Sequence, residues 1–360
     1  MCLTPTVIPN PNFGRRDSLA YLVDTKSRFL NVPCGHCTEC IYMRQSAVVQ
    51  RCEAESLDNH LFYCTLSYNN ESLPILYTST GVPIRYADMR DFVLCMKRLR
   101  KHDDFDRPIR YFVVSELGEK KGRPHFHAIL FVPKRKGDDA VTIMQLESWL
   151  FDNLLAEWRR NYGSTRSPVY KPLCTYVRRW IRGELKTNYD CHYLNPRSSE
   201  NGVSDVAFYV SKYMLKPSDR QKRLQQALKL NLCPSEYEDV WKVVKTRFHA
   251  STNFGCSSTI QKEYVRDCIE LSKVSGKSPQ FLSECGFSYP LARYYQRKGD
   301  IWTLSDADFF LKAREQVPGD AICIDERPGD VKSRRFEKLK KMQRQVSFND
   351  LMSTDLDELN

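Results

Sequence analysis

The sequence predicts an α/β (α+β) fold: a central antiparallel sheet with flanking helices, an N-terminal cysteine-rich arm and a mostly helical C-terminal region. Three observations predict it. Two β-preferring runs, 110–116 and 125–132, are separated by the Gly- and Lys-rich loop 118–124, which reads as a hairpin. Apolar residues recur at helical spacing in 88–100 and again in 141–162. At 360 residues and 41% hydrophobic content, the chain has the material for a substantial core.

Taken in order, the first 58 residues contain Cys34-Gly-His-Cys37-Thr-Glu-Cys40 and then a helix from about Ile41 to Leu57, whose Arg44 and Arg51 suit a phosphate backbone. Leu61 to Tyr68, closed by Asn69-Asn70, reads as a strand and turn. In the helix Asp88–Arg100, Phe92, Val93, Cys95, Met96 and Leu99 form the apolar face, and Lys97, Arg98, Arg100 and Lys101 crowd its end. Strand 110–116 and strand 125–132 follow, with the His strand central, and a long helix is expected from about Val141 to Tyr162. Asn201-Gly202 then turns the chain into a helix from Asp205 to Lys216, capped by Ser204, stopped by Pro217 and laid across the sheet face that bears the histidines. The expected organisation is an arm at 1–58, a core at 59–220 and a C-terminal region at 221–360 with a basic run at 332–341 and an acidic, frayed end at 355–358.

Composition narrows the function. The net charge of +11, from 55 Lys and Arg against 44 Asp and Glu, favours a polyanionic partner. Fourteen cysteines without an export signal read as reduced cytoplasmic thiols. No apolar run reaches the ~18 residues that a membrane helix needs, so no membrane partner is expected. There is no G-x-x-x-x-G-K-[ST], hence no sequence basis for an ATP-driven motor, and strand separation is left to another protein.

His125 and His127, two apart in a strand, project from one face and can reach one ion. Glu116 lies on the strand that folds back against them. Pairing of 116 with either 125 or 127 has the same parity and gathers all three side chains on that face. Two imidazoles and a carboxylate leave coordination positions open for water and a phosphate oxygen, and suit Mg²⁺ or Mn²⁺ without excluding zinc. Glu119, in the loop, is the other candidate for the third ligand, and a surface strand whose histidines merely hydrogen-bond is the alternative.

Tyr209, Lys212, Tyr213 and Lys216 fall at i, i+3, i+4 and i+7, one helical stripe, leaving Ala207, Val210, Met214 and Leu215 to pack. A tyrosine with a pKa near 10 attacks phosphorus poorly at neutral pH, but a neighbouring ammonium stabilises its phenolate. Lys212 and Lys216 supply that charge. Two tyrosines one turn apart allow one to hold a DNA end while the other cuts again; a solvated stripe is the alternative.

The order Thr65-Leu66-Ser67, then Gly-Arg-Pro-His125-Phe-His127, then Tyr209-Val-Ser-Lys212-Tyr213 resembles the HUH endonuclease superfamily, with Phe126 as the hydrophobic U. Within it, the chain resembles the replication initiators of microviruses, particularly the gokushovirus-like branch, and Val-Pro-Cys34-Gly-His-Cys37-Thr-Glu-Cys40 is similar to their early cysteine segment. The resemblance covers about residues 2–217. It implies a rolling-circle initiator in the host bacterial cytoplasm that nicks supercoiled double-stranded DNA at a phage origin, handles single-stranded DNA, and relies on host helicase, polymerase and single-strand binding protein. It further implies that His125, His127 and Glu116 hold the metal, that Tyr209 and Tyr213 are nucleophiles, and that Lys212 assists them. The histidines precede the tyrosines, which argues against a conjugative relaxase. A single-strand transposase of the same superfamily and a non-catalytic zinc-containing DNA-binding regulator are the competing readings.

Cys34, Cys37 and Cys40 offer three thiolates to Zn²⁺, with Cys2, His36 or Cys52 as the fourth ligand and Cys2 preferred; partly buried free thiols are the alternative. Lys97, Arg98, Arg100, Lys101, Arg123 and Lys216 are candidate DNA contacts, as are the basic residues of 332–344, and the aromatics of Tyr289–Tyr295 are candidates for base stacking.

Overall fold

Residues 110–133 set the architecture, because two β-rich runs joined through glycine can satisfy each other's backbone groups without any other element. The computed structural model describes residues 5–11, 13–14, 26–32, 34–35, 37–118, 122–181, 184–195, 203–215, 219–274, 280–282 and 288–296. Its principal elements are α1 (Thr38–Ser56), β1 (Asn59–Ser67), α2 (Met89–Leu99), β2 (Arg110–Leu117), β3 (Pro124–Pro133), α3 (Ala140–Glu157), β4 (Arg159–Asn161), β5 (Tyr170–Pro172), β6 (Tyr189–Leu194), α4 (Val203–Leu215), α5 (Asp219–Asn231), α6 (Pro234–Val244), β7 (Phe248–Ala250) and α7 (Thr259–Val274). Five of these strands form one antiparallel sheet in the order β6-β1-β3-β2-β7, with the His strand β3 in the centre.

The two faces of β3 differ in sequence and in cover. Phe126, Ala128, Leu130 and Val132 pack in one core with Phe92, Cys95, Met96 and Leu99 of α2 and Leu146, Leu150 and Leu154 of α3. His125 and His127 alternate with them and therefore leave the opposite face, where α4 packs against β2 and β3 through a helix whose Val203, Ala207 and Val210 are buried. Asp88 caps α2 by accepting the Arg90 N–H.

Three expectations are corrected. The helix read as 141–162 ends at Glu157: Trp158 turns inward, its indole N–H bonds the Ser67 carbonyl at 2.7 Å, and 159–161 pairs with 170–172 as a hairpin. The tyrosine helix begins at Val203, so Ser204 lies inside it rather than at its cap. Two edge strands, β6 and β7, complete the sheet, the second coming from residues 248–250.

The chain divides into two units, residues 48–261 with 356–360 and residues 1–47 with 262–355. The first holds the sheet. It also contains the α5–α6 pair, packed through Leu228, Val240 and Val244 with Ile84. In the second, the hairpin Thr6–Pro9 with Phe29–Val32 accompanies the cysteine cluster, and Phe281 stacks on Tyr295 at 6.1 Å between ring centres. Tyr289 and Tyr295 are buried there, so the bases expected to stack on them have no access to those rings. The basic run 332–344 and the acidic end 355–358 lie outside the described residues.

Candidate metal centre

The β2–β3 hairpin positions the three predicted ligands. Gly118 N–H bonds the Arg123 carbonyl at 3.0 Å, Gly122 takes a positive φ of 62°, and the register that follows sets Glu116 opposite His125 and Val114 opposite His127. Of the two registers with suitable parity, this is the first. Glu119 lies outside the described residues.

One carboxylate oxygen, Oε2 of Glu116, lies 3.0 Å from Nε2 of His125 and 3.0 Å from Nε2 of His127. Glu116 and His127 are buried and His125 is nearly so. The outer ring nitrogens are also occupied. The His125 Nδ1–H donates to the Arg123 carbonyl at 3.1 Å, since a carbonyl only accepts. Nδ1 of His127 lies 2.6 Å from the Tyr63 hydroxyl. Burial pushes the Glu116 carboxyl up, but the His125 charge and hydrogen bonds from both imidazoles outweigh it and hold the group at about 2.

These residues fit a divalent cation. The donor atoms of Glu116, His125 and His127 lie within 4.8 Å of one another, both histidines turn Nε2 towards the carboxylate, and partners at Nδ1 fix each ring in the orientation that metal-bound histidines adopt.

Tyr209 stands beside this cluster. Its ring meets that of His127 edge-on at 5.5 Å and that of Tyr63 at 6.4 Å. Lys212 and Tyr213 belong to the same helix, and their side chains, like all of Lys216, lie outside the described residues.

Three further side chains share the site. Tyr63 stacks on His127 at 6.0 Å, while His192, bonded through Nδ1 to Asp190 at 3.0 Å, closes on Tyr63 at 5.4 Å. Burial, followed by the neighbouring Tyr209, drives the Tyr63 phenol well above its ordinary pKa, so its hydroxyl keeps its proton. Sequence reading missed all three, although the i, i+2 spacings Tyr63/Thr65 and Asp190/His192 carry the signal of a shared strand face.

The candidate DNA contacts are dispersed. Arg123 bonds the Tyr68 carbonyl and the Asn70 side chain next to the metal centre. Arg98 bonds the Glu157 carboxylate and the Glu157 and Arg159 carbonyls, and Arg100 bonds the Ile109 carbonyl, on the helix that covers the other sheet face. Lys97 and Lys101 are exposed at the same helix end. Arg51, expected to face phosphate, bonds the Phe254 carbonyl at 2.8 Å and lies over the Phe254 ring.

Cys34, Cys37 and Cys40 converge where α1 begins. Their sulfurs lie within 4.8 Å of one another, those of Cys34 and Cys40 being 3.9 Å apart. Cys2 and His36 lie outside the described residues. Cys52 is a poor fourth ligand, because it follows Cys40 by 12 residues on one helix, about 18 Å along its axis.

Residues 62–218 match the family model of the ORF2-type replication-associated proteins, a span that contains Glu116, His125, His127, Tyr209 and Tyr213. Over 121 residues the chain is 28% identical to the replication-associated protein ORF4 of Chlamydia phage 1, a match spanning 33% of this chain and 27% of that protein. Together they support a microvirus-like replication initiator. No solved structure matches. Among the described residues no helix is long and apolar enough to cross a membrane.

Proposed function

We propose that the chain is a rolling-circle replication initiator, a site-specific endonuclease and ligase that cuts one DNA strand at a phage origin and retains the new 5′ end on tyrosine. The observation that carries this reading is the Tyr209 ring packed against His127 of a buried two-histidine, one-carboxylate cluster. Glu116, His125 and His127 would hold a Mg²⁺ or Mn²⁺ ion, which when bound polarises the scissile phosphate. Tyr209 Oη attacks phosphorus, the bond to O3′ breaks, and the 3′ oxygen leaves and takes up a proton. The phosphodiester survives as a phosphotyrosine, so a later 3′ hydroxyl reseals the strand without ATP. Tyr213 is the second nucleophile and Lys212 the cation that favours the phenolate. The nuclease core is assigned to 59–220, extended by the edge strand at 248–250. Host helicase, polymerase and single-strand binding protein complete replication in the bacterial cytoplasm.

The test is a nicking assay on supercoiled origin DNA with Mn²⁺ or EDTA, resolved on a denaturing gel. We expect cutting with Mn²⁺ alone, loss of cutting in a folded His125→Ala variant, some cutting or joining in Tyr209→Phe and Tyr213→Phe, and no covalent adduct in the double variant. A normal adduct from the double variant overturns the assignment. A shift of intact DNA, with no strand cut, identifies a regulator; cutting at transposon ends identifies a transposase.

A further inference from the structure

We propose that the β4–β5 hairpin is a stacking platform for single-stranded DNA, with Tyr162 and Tyr170 receiving bases and Arg166 and Lys171 the phosphates. The inference rests on the reading that this chain handles DNA at the metal centre, and it adds where the unpaired strand is held. From Trp158 to Gly183 the sequence contains no Asp or Glu, while Arg159, Arg160, Arg166, Lys171 and Arg178 alternate with Tyr162, Tyr170 and Tyr176. Such interleaving of cations and π faces suits a polyanion whose bases are exposed.

Geometry strengthens this. Tyr162 is 49% and Tyr170 42% exposed. Each ring is flanked by cations: Arg160 and Lys171 stand 5.9 and 5.5 Å from the centre of Tyr162, and Arg98 and Arg159 5.6 and 4.6 Å from that of Tyr170. Among the described residues, the acids that oppose these cations are Asp91, which pairs with Arg160, and Glu157, which pairs with Arg98 and Arg159. Arg166 and Lys171 are exposed.

The loop between the two tyrosines is preformed. Asn161 Oδ1 accepts the N–H groups of Gly163 and Val169, each at 2.9 Å, and Ser164 Oγ accepts that of Ser167. A Cβ at position 163 would lie 2.2 Å from the Ser167 carbonyl oxygen, which fixes glycine there. A rigid loop loses little entropy on binding. The hairpin base is tied to the metal-site end of the sheet: Leu173 N–H bonds the Trp158 carbonyl, Asn69 bonds the Leu173 and Pro172 carbonyls, and the neighbouring Asn70 is bonded by Arg123, two residues before His125.

The test measures fluorescence anisotropy of a labelled oligothymidylate, and of a duplex of equal length, with the full chain in EDTA. Because no cutting is needed, a chain that binds yet never nicks refutes the nuclease reading and leaves this one standing. We expect the Tyr162→Ala/Tyr170→Ala variant to bind the single strand at least about tenfold more weakly, with duplex binding changed less than about threefold. The corresponding Phe pair, which keeps both rings, should bind within about twofold of the parent. Arg166→Ala/Lys171→Ala should flatten the slope of log K against log salt by about 1.4, the change for two phosphate contacts on a single strand. No loss, or equal loss on both DNAs, overturns the platform. Should the alanine pair fail to fold, photocrosslinking the unaltered chain to iodouridine DNA decides: crosslinks at Tyr162 or Tyr170 support it, and none within 159–172 overturns it.

Discussion

Tyr63 shows how a single hydroxyl governs a metal site that it does not enter. Its oxygen lies 2.6 Å from Nδ1 of His127, and its ring is wedged between His127, His192 and Tyr209. Tyr63→Phe removes the hydrogen bond and keeps the wedge, so the fold should survive at a cost of about 1 kcal/mol. The imidazole loses the partner that orients it, and Mn²⁺ affinity measured by titration calorimetry should fall by about 10- to 100-fold. Unchanged affinity would mean that packing alone holds His127. Asp138 illustrates the same dependence on geometry through pH. Hydrogen bonds from the Arg107 guanidinium at 2.6 and 2.7 Å outweigh burial and, with His60 and the Arg135 N–H, hold its carboxyl well below the ordinary range. A pKa depressed on folding contributes stability that is complete above the unfolded value, about 4, and is lost as pH falls through the folded one. Urea unfolding should therefore show Asp138→Asn less stable at pH 7 by about 1.5–3 kcal/mol, with the difference shrinking below pH ~4. A gap independent of pH would remove the carboxylate from the explanation.

Among elements, the sheet and α1 are locked by one buried carboxylate. Glu55, fully buried near the end of α1, accepts the Arg110 guanidinium of β2 at 2.8 and 3.3 Å, the Gly255 N–H at 2.7 Å and the Gln261 side chain at 3.4 Å. Gly255 has φ of 77° and leaves no room for a Cβ, which would meet the Arg51 Cα at 2.7 Å. Glu55→Ala strands a half-covered guanidinium and an amide, and should lower unfolding free energy by about 3–5 kcal/mol, read from the urea midpoint. A loss under about 1 kcal/mol would show that the segments dock by apolar contact alone. Elements with a local signature were legible in the sequence. The β2–β3 hairpin carried period-two alternation around glycine, α2 carried a capping aspartate and an apolar face, and strand parity gathered Glu116 with both histidines before any register was known. What escaped depends on distant partners. Trp158 continues the helical spacing of α3, and only its bond to Ser67, 91 residues away, shows that the helix has ended. Strand β7 has three residues and pairs with one 134 positions earlier at Phe248 and Val114, so no local pattern announces it. Tyr63 was hidden likewise, its functional partner being 64 residues further on.

At the scale of the whole molecule, the described residues hold two clusters of metal-ligating side chains, and no ligand of either belongs to the unit that holds the other. Cys34, Cys37 and Cys40 belong to the unit of residues 1–47 and 262–355; Glu116, His125 and His127 belong to the sheet unit. Their donor chemistry also differs. Thiolates select soft zinc and close around it, whereas a carboxylate with two imidazoles keeps positions open for water and phosphate and accepts Mn²⁺ or Mg²⁺. Occupancy of one should therefore not report on the other. We predict that the purified chain carries about one zinc, released by a mercurial thiol reagent and retained through brief EDTA treatment that stops cutting. Cys37→Ser should lose that zinc while Mn²⁺ binding at the histidines persists, and His125→Ala should do the converse. Metal analysis with manganese titration of both variants tests this, and loss of both metals from either variant would mean that the sites are coupled. Cys2 is the expected fourth thiolate, so Cys2→Ser should lower zinc occupancy as Cys37→Ser does. If His36→Ala lowers it instead, the site is closed by imidazole within the cysteine loop itself.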